Sequence, residues 1–168
     1  MQRKKIRFLT EGALIAALYV ILTWLSASVG LAGGAVQLRL SEMLCILPIF
    51  TPAAIPGLFF GCVIANFLTS AALYDVIFGS LATLIGALGT RLLRKHPTLS
   101  LLPPVLSNTL IVPLVIMYVY MGESSLPLFL TTAFTVGLGE ILSCFALGML
   151  LYRILKPYHN SLFSENTR

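Results

Sequence analysis

Three charged side chains, Arg39, Glu42 and Glu140, lie inside stretches of sequence that are otherwise apolar enough to cross a membrane. An unpaired charge in hydrocarbon costs at least ~2.5–3.5 kcal/mol. A chain tolerates that cost when the charges pair, line a water-filled cavity or bind a polar molecule. The chemistry open to these residues is recognition by charge and hydrogen bonding, and we expect them to mark the functional site.

Spacing leaves two interpretations open for the first pair. Arg39 and Glu42 are three residues apart, so they share a helix face and either neutralise each other or line a site together. Glu140 is different, because no basic residue lies within two helical turns of it on its own span. It therefore requires a partner from another helix, a proton or a ligand, and we expect a functional role.

Composition defines the class of protein that must position these charges. The chain has 168 residues, of which 58% are hydrophobic and only 10% charged. A soluble domain needs more polar surface than this, so the sequence predicts an integral membrane protein. At about 20 residues per span, the length allows about six transmembrane helices and no separate soluble domain.

Hydropathy predicts an all-α membrane protein with a single six-helix transmembrane domain over residues 1–168. The second segment is short and contains Pro48, so a re-entrant segment is an alternative to a full crossing. The expected spans cover residues 9–28, 38–50, 53–72, 76–93, 103–121 and 127–152.

The distribution of basic residues selects six crossings over five. With six crossings, both termini and every basic cluster lie on the cytoplasmic side, as the positive-inside rule requires. With five, the cluster 91–95 and the C-terminus would lie outside. The cytoplasmic residues are then Arg3, Lys4, Lys5, Arg7, Arg91, Arg94, Lys95, Arg153, Lys156 and Arg168.

This topology places most of the informative polar residues in the outer half of the bundle, which indicates a cavity open to the outside. Several have alternative structural roles. Asp75 also suits the N-cap of its helix, Asn66 and Asn108 also suit hydrogen bonds between helices, and Tyr118 and Trp24 also suit the interfacial aromatic belt. The candidate ligand-contacting residues are Arg39, Glu42, Asn66, Tyr74, Asp75, Phe78, Ser80, Thr83, Tyr118 and Glu140.

The sequence argues against enzymatic and metal chemistry. Cys45, Cys62 and Cys144 are isolated within apolar stretches, so we expect buried, inert thiols and no metal site. The two histidines, His96 and His159, fall in a predicted loop and tail, and no H-E-x-x-H or G-x-S-x-G motif occurs. We therefore predict no catalytic residues.

Small residues occupy the cytoplasmic end of the first span. Ala13 and Ala17 form an A-x-x-x-A pair, and Gly12 and Ala16 form a second pair with the same spacing. Small residues four apart lie on one helix face and allow another helix to approach closely.

One long stretch of the sequence resembles the queuosine precursor transporters of the QueT family. The resemblance is carried by residues 36–44 (VQLRLSEML), 47–59 (LPIFTPAAIPGLF), Gly61-Cys62 and Ala65-Asn66. Residues 74–84 (YDVIFGSLATL) resemble the fourth helix of the same family and Gly139-Glu140 its sixth. The similarity extends over nearly the whole chain.

The resemblance implies a substrate-binding S-component of an energy-coupling factor (ECF) transporter in a bacterial plasma membrane. Such subunits capture a vitamin-like molecule from outside and dock on a transmembrane T-component that carries two cytosolic ATPases. Their docking face corresponds here to Ala13 and Ala17. The sequence has no G-x-x-x-x-G-K-[ST] loop, so the resemblance implies ATP use by partner subunits and no cofactor of its own.

The implied ligands are 7-deazaguanines such as preQ1, preQ0 or queuine. Their guanine-type edge offers N1–H and N2–H₂ donors that one carboxylate, Glu140 or Glu42, can accept together. We also expect Arg39 or Asn66 to donate to O6 of the base. A cationic aminomethyl group would be attracted to Asp75. The plane of the base would stack on an aromatic ring, with the candidates Tyr74, Phe78 and Tyr118.

Two alternatives remain. One is an S-component for another vitamin of riboflavin or thiamine type. The other is a membrane assembly protein without a ligand, in which Arg39, Glu42 and Glu140 only join helices.

Overall fold

The computed structural model describes residues 2–31, 37–69, 72–122 and 125–163. Over these residues the chain is helical and contains no strand, which confirms the all-α prediction. Numbered in chain order, the helices are α1 Gln2–Ser28, α2 Leu40–Ile49, α3 Ala54–Leu68, α4 Asp75–Leu92, α5 Leu99–Met121, α6 Leu126–Tyr158 and α7 His159–Leu162.

Helices α1 to α6 coincide in position with the six predicted spans. In the described part of the chain, α1, α4, α5 and α6 are long and apolar enough to cross a membrane. Helices α2 and α3 are shorter, with 10 and 15 residues. Helix α3 ends at Leu68, and residues 70 and 71 of the predicted third span lie outside the described residues. Helix α6 continues past its predicted end to Tyr158.

Helix α2 is wound as a 3-10 helix over its whole length, with Pro48 inside it. At ~2.0 Å rise per residue it extends about 20 Å. Runs of 3-10 helix longer than three or four residues are uncommon, because their hydrogen bonds are poorly aligned. Here the surrounding helices supply the missing support, since most of α2, from Ser41 to Pro48, is buried in the bundle.

Helices α1 and α3 approach each other through glycine. A Cβ added at Gly57 would lie 2.7 Å from the carbonyl oxygen of Gly12, and one at Gly61 would lie 3.0 Å from Cα of Ala16. The Gly12/Ala16 face of α1 is therefore packed within the chain. Ala13 and Ala17 lie on the neighbouring face and are exposed.

The helix ends that carry basic residues meet at one end of the bundle. Arg91, near the end of α4, donates from Nη1 to the carbonyls of Pro48 and Ile49 at 3.0 and 3.2 Å. These are the last carbonyls of α2, which lack partners within their own helix. On the chain that follows, the Phe50 ring lies 5.5 Å from Tyr152 of α6.

The start of α1 lies at this same end. Arg7 forms an ion pair with Glu11 at 2.9 Å and also donates to the carbonyl of Leu162. Thr51, immediately after α2, donates to Glu11 at 2.8 Å. The beginning of α1 and the ends of α2, α4 and α6 are therefore fixed to one another at the basic end of the molecule.

The close α1–α3 contact predicts the effect of adding a single methyl group. In Gly61→Ala the new Cβ would lie 2.8 Å from Cβ of Tyr19 as well as close to the α1 backbone. We expect a loss of about 1–3 kcal/mol in the free energy of unfolding, because the helices must separate. Thermal unfolding in detergent measures the change.

Gly148→Ala is the matched control, because a Cβ there meets its nearest atom at an ordinary 3.5 Å. This substitution should be neutral or slightly stabilising, since alanine favours a helix interior over glycine. Equal stability of the two variants would show that the α1–α3 contact is not tight.

Candidate functional site

Glu42 lies at the centre of a polar cluster in the core of the bundle. Its side chain is only 1% exposed, and both carboxylate oxygens accept hydrogen bonds. The Tyr19 hydroxyl donates to Oε1 at 2.5 Å. The Cys45 thiol and Asn108 Nδ2 donate to Oε2 at 3.1 and 3.4 Å. The donors come from α1, α2 and α5, so three helices meet at this one carboxylate.

Glu140 belongs to the same cluster. It is 5% exposed, and its Oε2 accepts a weak hydrogen bond from the Cys144 thiol at 3.6 Å. The same thiol lies 3.5 Å from the backbone carbonyl of Glu42, and Asn108 interacts with both carboxylates. The structure therefore brings Glu42 and Glu140 together from α2 and α6, where their like charges repel each other.

Arg39 supplies the positive charge of the cluster. Its backbone is extended (φ −110°, ψ 110°) and leads into α2, and the side chain is partly buried. The carboxylates of Glu42 and Glu140 both act electrostatically on its guanidinium. Two carboxylates and one guanidinium leave one negative charge in excess when all three are ionised.

The structure does not show the direct Arg39–Glu42 pair that the spacing allows. Among the described residues, Arg39 makes no ion pair within 4.0 Å, and Glu42 is held by Tyr19, Cys45 and Asn108 instead. The extended backbone at Arg39 explains this difference, because helical i,i+3 geometry does not apply to a residue outside the helix.

Gly139 positions the extended segment beside Glu140. A Cβ at Gly139 would overlap the backbone carbonyl of Gln37, so only glycine permits residues 37–39 to lie against α6. The π-helical winding of Ile141–Leu147 begins directly after Glu140. Short π-helical stretches occur frequently at functional sites.

Asn66, Ser80 and Thr83 occupy a neighbouring layer in which they make hydrogen bonds within the bundle. Asn66 Nδ2 donates to the carbonyl of Asp75 at 3.1 Å and joins α3 to α4. Thr83 and Ser80 donate to carbonyls one turn earlier in α4, at 3.0 and 2.6 Å. The Cys62 sulfur accepts from Thr83 at 3.4 Å and from Asn66 at 3.5 Å.

Tyr74, Phe78 and Tyr118 lie elsewhere, in a groove between α4 and α5. The Tyr74 and Phe78 rings are parallel at 6.4 Å between centroids. The groove has a volume of about 910 Å³ and is otherwise aliphatic, lined also by Leu81, Ile85, Ile111, Leu114, Val115 and Val119. The sequence-predicted residues are thus divided among a buried cluster, a packing layer and an exposed groove.

Asp75 is not an N-cap in the structure. Its helix is preceded by Tyr74, which makes no side-chain capping bond. The Asp75 carboxylate instead accepts from the Tyr120 hydroxyl at 2.5 Å, and that hydroxyl accepts from the backbone N–H of Ala72 at 3.1 Å. Arg39 acts electrostatically on Tyr120, so the Asp75–Tyr120 pair is within electrostatic range of the buried cluster.

Four members of the cluster are not among the sequence-predicted site residues. The sequence suggests helix packing for Asn108 and inert thiols for Cys45 and Cys144, and it does not single out Tyr19. A tyrosine in the middle of a span, far from either aromatic belt, is the one signal that could have indicated Tyr19.

The same cluster contains the ligand types that a metal ion would need. The side-chain ligand atoms of Glu42, Cys45 and Cys144 lie within 4.8 Å of one another. Soft thiolate ligands of this kind suit zinc or copper. The absence of a metal site stays a prediction.

Comparison with known proteins identifies the family. Residues 9–157 match the family model described as QueT transporter. The chain is also 40% identical over 85 residues to a protein of Lactococcus lactis subsp. cremoris (strain MG1363) described as queuosine precursor transporter QueT. That alignment covers 51% of this chain and about half the length of the relative. No solved structure gives a significant match. Because the family model spans nearly all of the described helices, the chain belongs to the QueT transporter family, whose members are transporters and not enzymes.

Proposed function

We propose that this chain is the substrate-binding S-component of an ECF importer and that it captures a 7-deazaguanine queuosine precursor from outside the cell. The observation that carries the proposal is the meeting of Glu42, Glu140 and Arg39 in the core of an apolar helical bundle. A purely structural membrane core has no use for two buried carboxylates beside a single guanidinium. A polar ligand with adjacent N–H donors would remove the cost of keeping them there.

The two carboxylates differ in their capacity to bind such a ligand. Glu42 already accepts from Tyr19, Cys45 and Asn108, whereas the bonds to Glu140 come from Asn108 and a weak thiol donor. An ionised carboxylate offers about four lone-pair sites. Glu140 is therefore the better acceptor for the N1–H and N2–H₂ donors of a guanine-type edge.

The remaining groups suit the rest of the ligand. Arg39 is able to donate to O6 of the base. The two glutamates of the cluster and Asp75 favour an aminomethyl substituent, which is cationic. Asn66, Ser80 and Thr83 support the site from the adjacent layer. Tyr74, Phe78 and Tyr118 line the separate groove between α4 and α5, so the stacking contact expected of them is not part of the site at Glu140.

The proposed topology has six crossings with both termini in the cytoplasm. Its support is the meeting of the basic ends of α1, α4 and α6 at one end of the bundle, as the positive-inside rule requires of a cytoplasmic face. Arg39 precedes the opposite end of α2, about 20 Å away along the helix. The cluster therefore lies toward the outside, on the side from which a precursor arrives.

The proposed partners are a transmembrane T-component and two cytosolic ATPases in a bacterial plasma membrane. The exposed Ala13/Ala17 face of α1 supports this assignment, because the other small-residue face, Gly12/Ala16, is already occupied by α3. A flat, unoccupied small-residue face lets a second membrane helix approach closely. The sequence has no ATP-binding loop, so partner subunits would supply the energy.

A thermal-shift titration tests the ligand class. Detergent-purified protein should be stabilised by 7-deazaguanines, by about 2.7 kcal/mol at a ligand concentration 100 times the Kd. Guanine, riboflavin and thiamine provide the comparison. Stabilisation by riboflavin or thiamine alone would show that the substrate is a vitamin and not a 7-deazaguanine. No stabilisation by any compound would favour the ligand-free assembly protein.

Two carboxylate variants test the roles of Glu140 and Asp75. Glu140→Gln should weaken binding of the aminomethyl and nitrile bases alike by about 10–100-fold, because it removes a charge-assisted bidentate contact. Asp75→Asn should weaken the cationic aminomethyl base about fivefold and leave the neutral nitrile base unchanged, since only a charge–charge attraction is lost. If Glu140→Gln bound both bases with unchanged affinity, the ligand would not be bound at Glu140.

Ala13→Trp/Ala17→Trp tests the docking face. A bulky residue there should abolish co-purification with the T-component while ligand-dependent stabilisation persists, because Ala13 and Ala17 are on the exposed surface whereas Glu140 is buried. Leu18→Trp is the matched control, being a similar substitution at an exposed position of the same helix. Equal co-purification of the double variant and the control would exclude this face.

A further inference from the structure

A second polar feature lies at the basic end of the bundle, away from the Glu42–Glu140 cluster. It is a recess of about 500 Å³, which is within the range of small-molecule sites. Its lining consists of Ile49, Phe50, Arg91, Arg94, Lys95, Tyr152, Lys156, Pro157 and His159. Four cationic side chains therefore surround one cavity, and no carboxylate is among the lining residues.

Two of these cations, Arg91 and Lys156, have contacts with the protein, and Arg91 and Arg94 repel each other. Arg91 is fixed by its bonds to the carbonyls of Pro48 and Ile49 and experiences the like charge of Arg94. Lys156 lies 5.8 Å above the Tyr152 ring. An anion in the recess would replace this repulsion by attraction.

A further residue that lines the recess, His159, has a polar atom without a protein partner. Nδ1 of His159 is buried and makes no hydrogen bond to any described residue. The centroid of the His159 ring lies 5.7 Å from that of Phe50, which also lines the recess. This contact holds the ring in position. A buried ring nitrogen without a partner is costly.

The position of the recess indicates where the anion comes from. Two of the apolar helices long enough to cross a membrane end at this recess, α4 at Leu92 and α6 at Tyr158. Helix ends of this kind lie at the depth of the lipid headgroups. Leu92 follows the recess residue Arg91 in α4 and is 83% exposed, so it offers an apolar surface for acyl chains.

We propose that this recess binds the phosphate headgroup of an anionic phospholipid. The phosphodiester accepts from the Arg91, Arg94, Lys95 and Lys156 side chains, while the acyl chains lie along the exposed apolar surface of α4. The bound lipid would secure the end of α2 between α4 and α6. This site is independent of the ligand assigned to Glu140.

The test compares lipid retention by purified, delipidated protein in detergent. Native mass spectrometry should show phosphatidylglycerol retained at least tenfold more strongly than phosphatidylcholine with the same chains. Arg94→Gln/Lys156→Gln should reduce phosphatidylglycerol retention roughly 25-fold, at about fivefold for each cation removed. Arg91 is left intact because it also bonds α2.

Lys4→Gln/Lys5→Gln is the matched control, since it removes the same charge from exposed positions of α1 outside the recess. This variant should keep the phosphatidylglycerol preference. An equal loss of phosphatidylglycerol retention in both double variants would show that the lipid responds only to the overall positive charge. That result would overturn the site. Thermal stabilisation by inorganic phosphate or glycerol 3-phosphate equal to that by phosphatidylglycerol would assign a free phosphate ligand instead, and absence of any lipid preference would also refute the proposal.

Discussion

The centre of this bundle depends on the burial of the Glu42 carboxylate among apolar helices. A buried carboxylate without donors would be prohibitively costly. Tyr19 from α1, Cys45 from α2 and Asn108 from α5 provide the donors. Because these groups stand on three helices, satisfying one carboxylate also fixes the relative positions of those helices. The polar cluster is thus a requirement of the fold as well as the candidate binding site.

The winding of α2 contributes directly to this arrangement. A 3-10 helix has three residues per turn, so residues at i and i+3 are eclipsed on one face. Glu42 and Cys45 stand in such a row, which explains why the thiol reaches the carboxylate of its own helix at 3.1 Å. Pro48 follows in the same row, and the carbonyls at this end of α2 are satisfied by Arg91. A helix too short to cross hydrocarbon by itself is therefore anchored along its length by side chains of its neighbours.

The sequence was sufficient to predict the helices and to identify Arg39, Glu42 and Glu140, because a charge in an apolar stretch is rare and costly. It did not predict that Tyr19 and Cys144 join them. A tyrosine or thiol becomes a donor only when the correct helix faces the carboxylate, and hydropathy contains no information on which faces meet. The same limitation explains why residues expected in one cavity are divided among a cluster, a packing layer and a groove.

The unequal environments of the two carboxylates separate structural and ligand-binding roles within one cluster. Both are glutamates in an apolar core, so their intrinsic chemistry is the same. Glu42 is surrounded by donors from the protein, and removing it would leave the buried Tyr19 hydroxyl without its acceptor. Glu140 has fewer and weaker protein donors, and the close contact at Gly139 keeps the Arg39 segment beside it. The unused acceptor capacity therefore lies on Glu140, where a ligand with paired N–H donors gains most from binding.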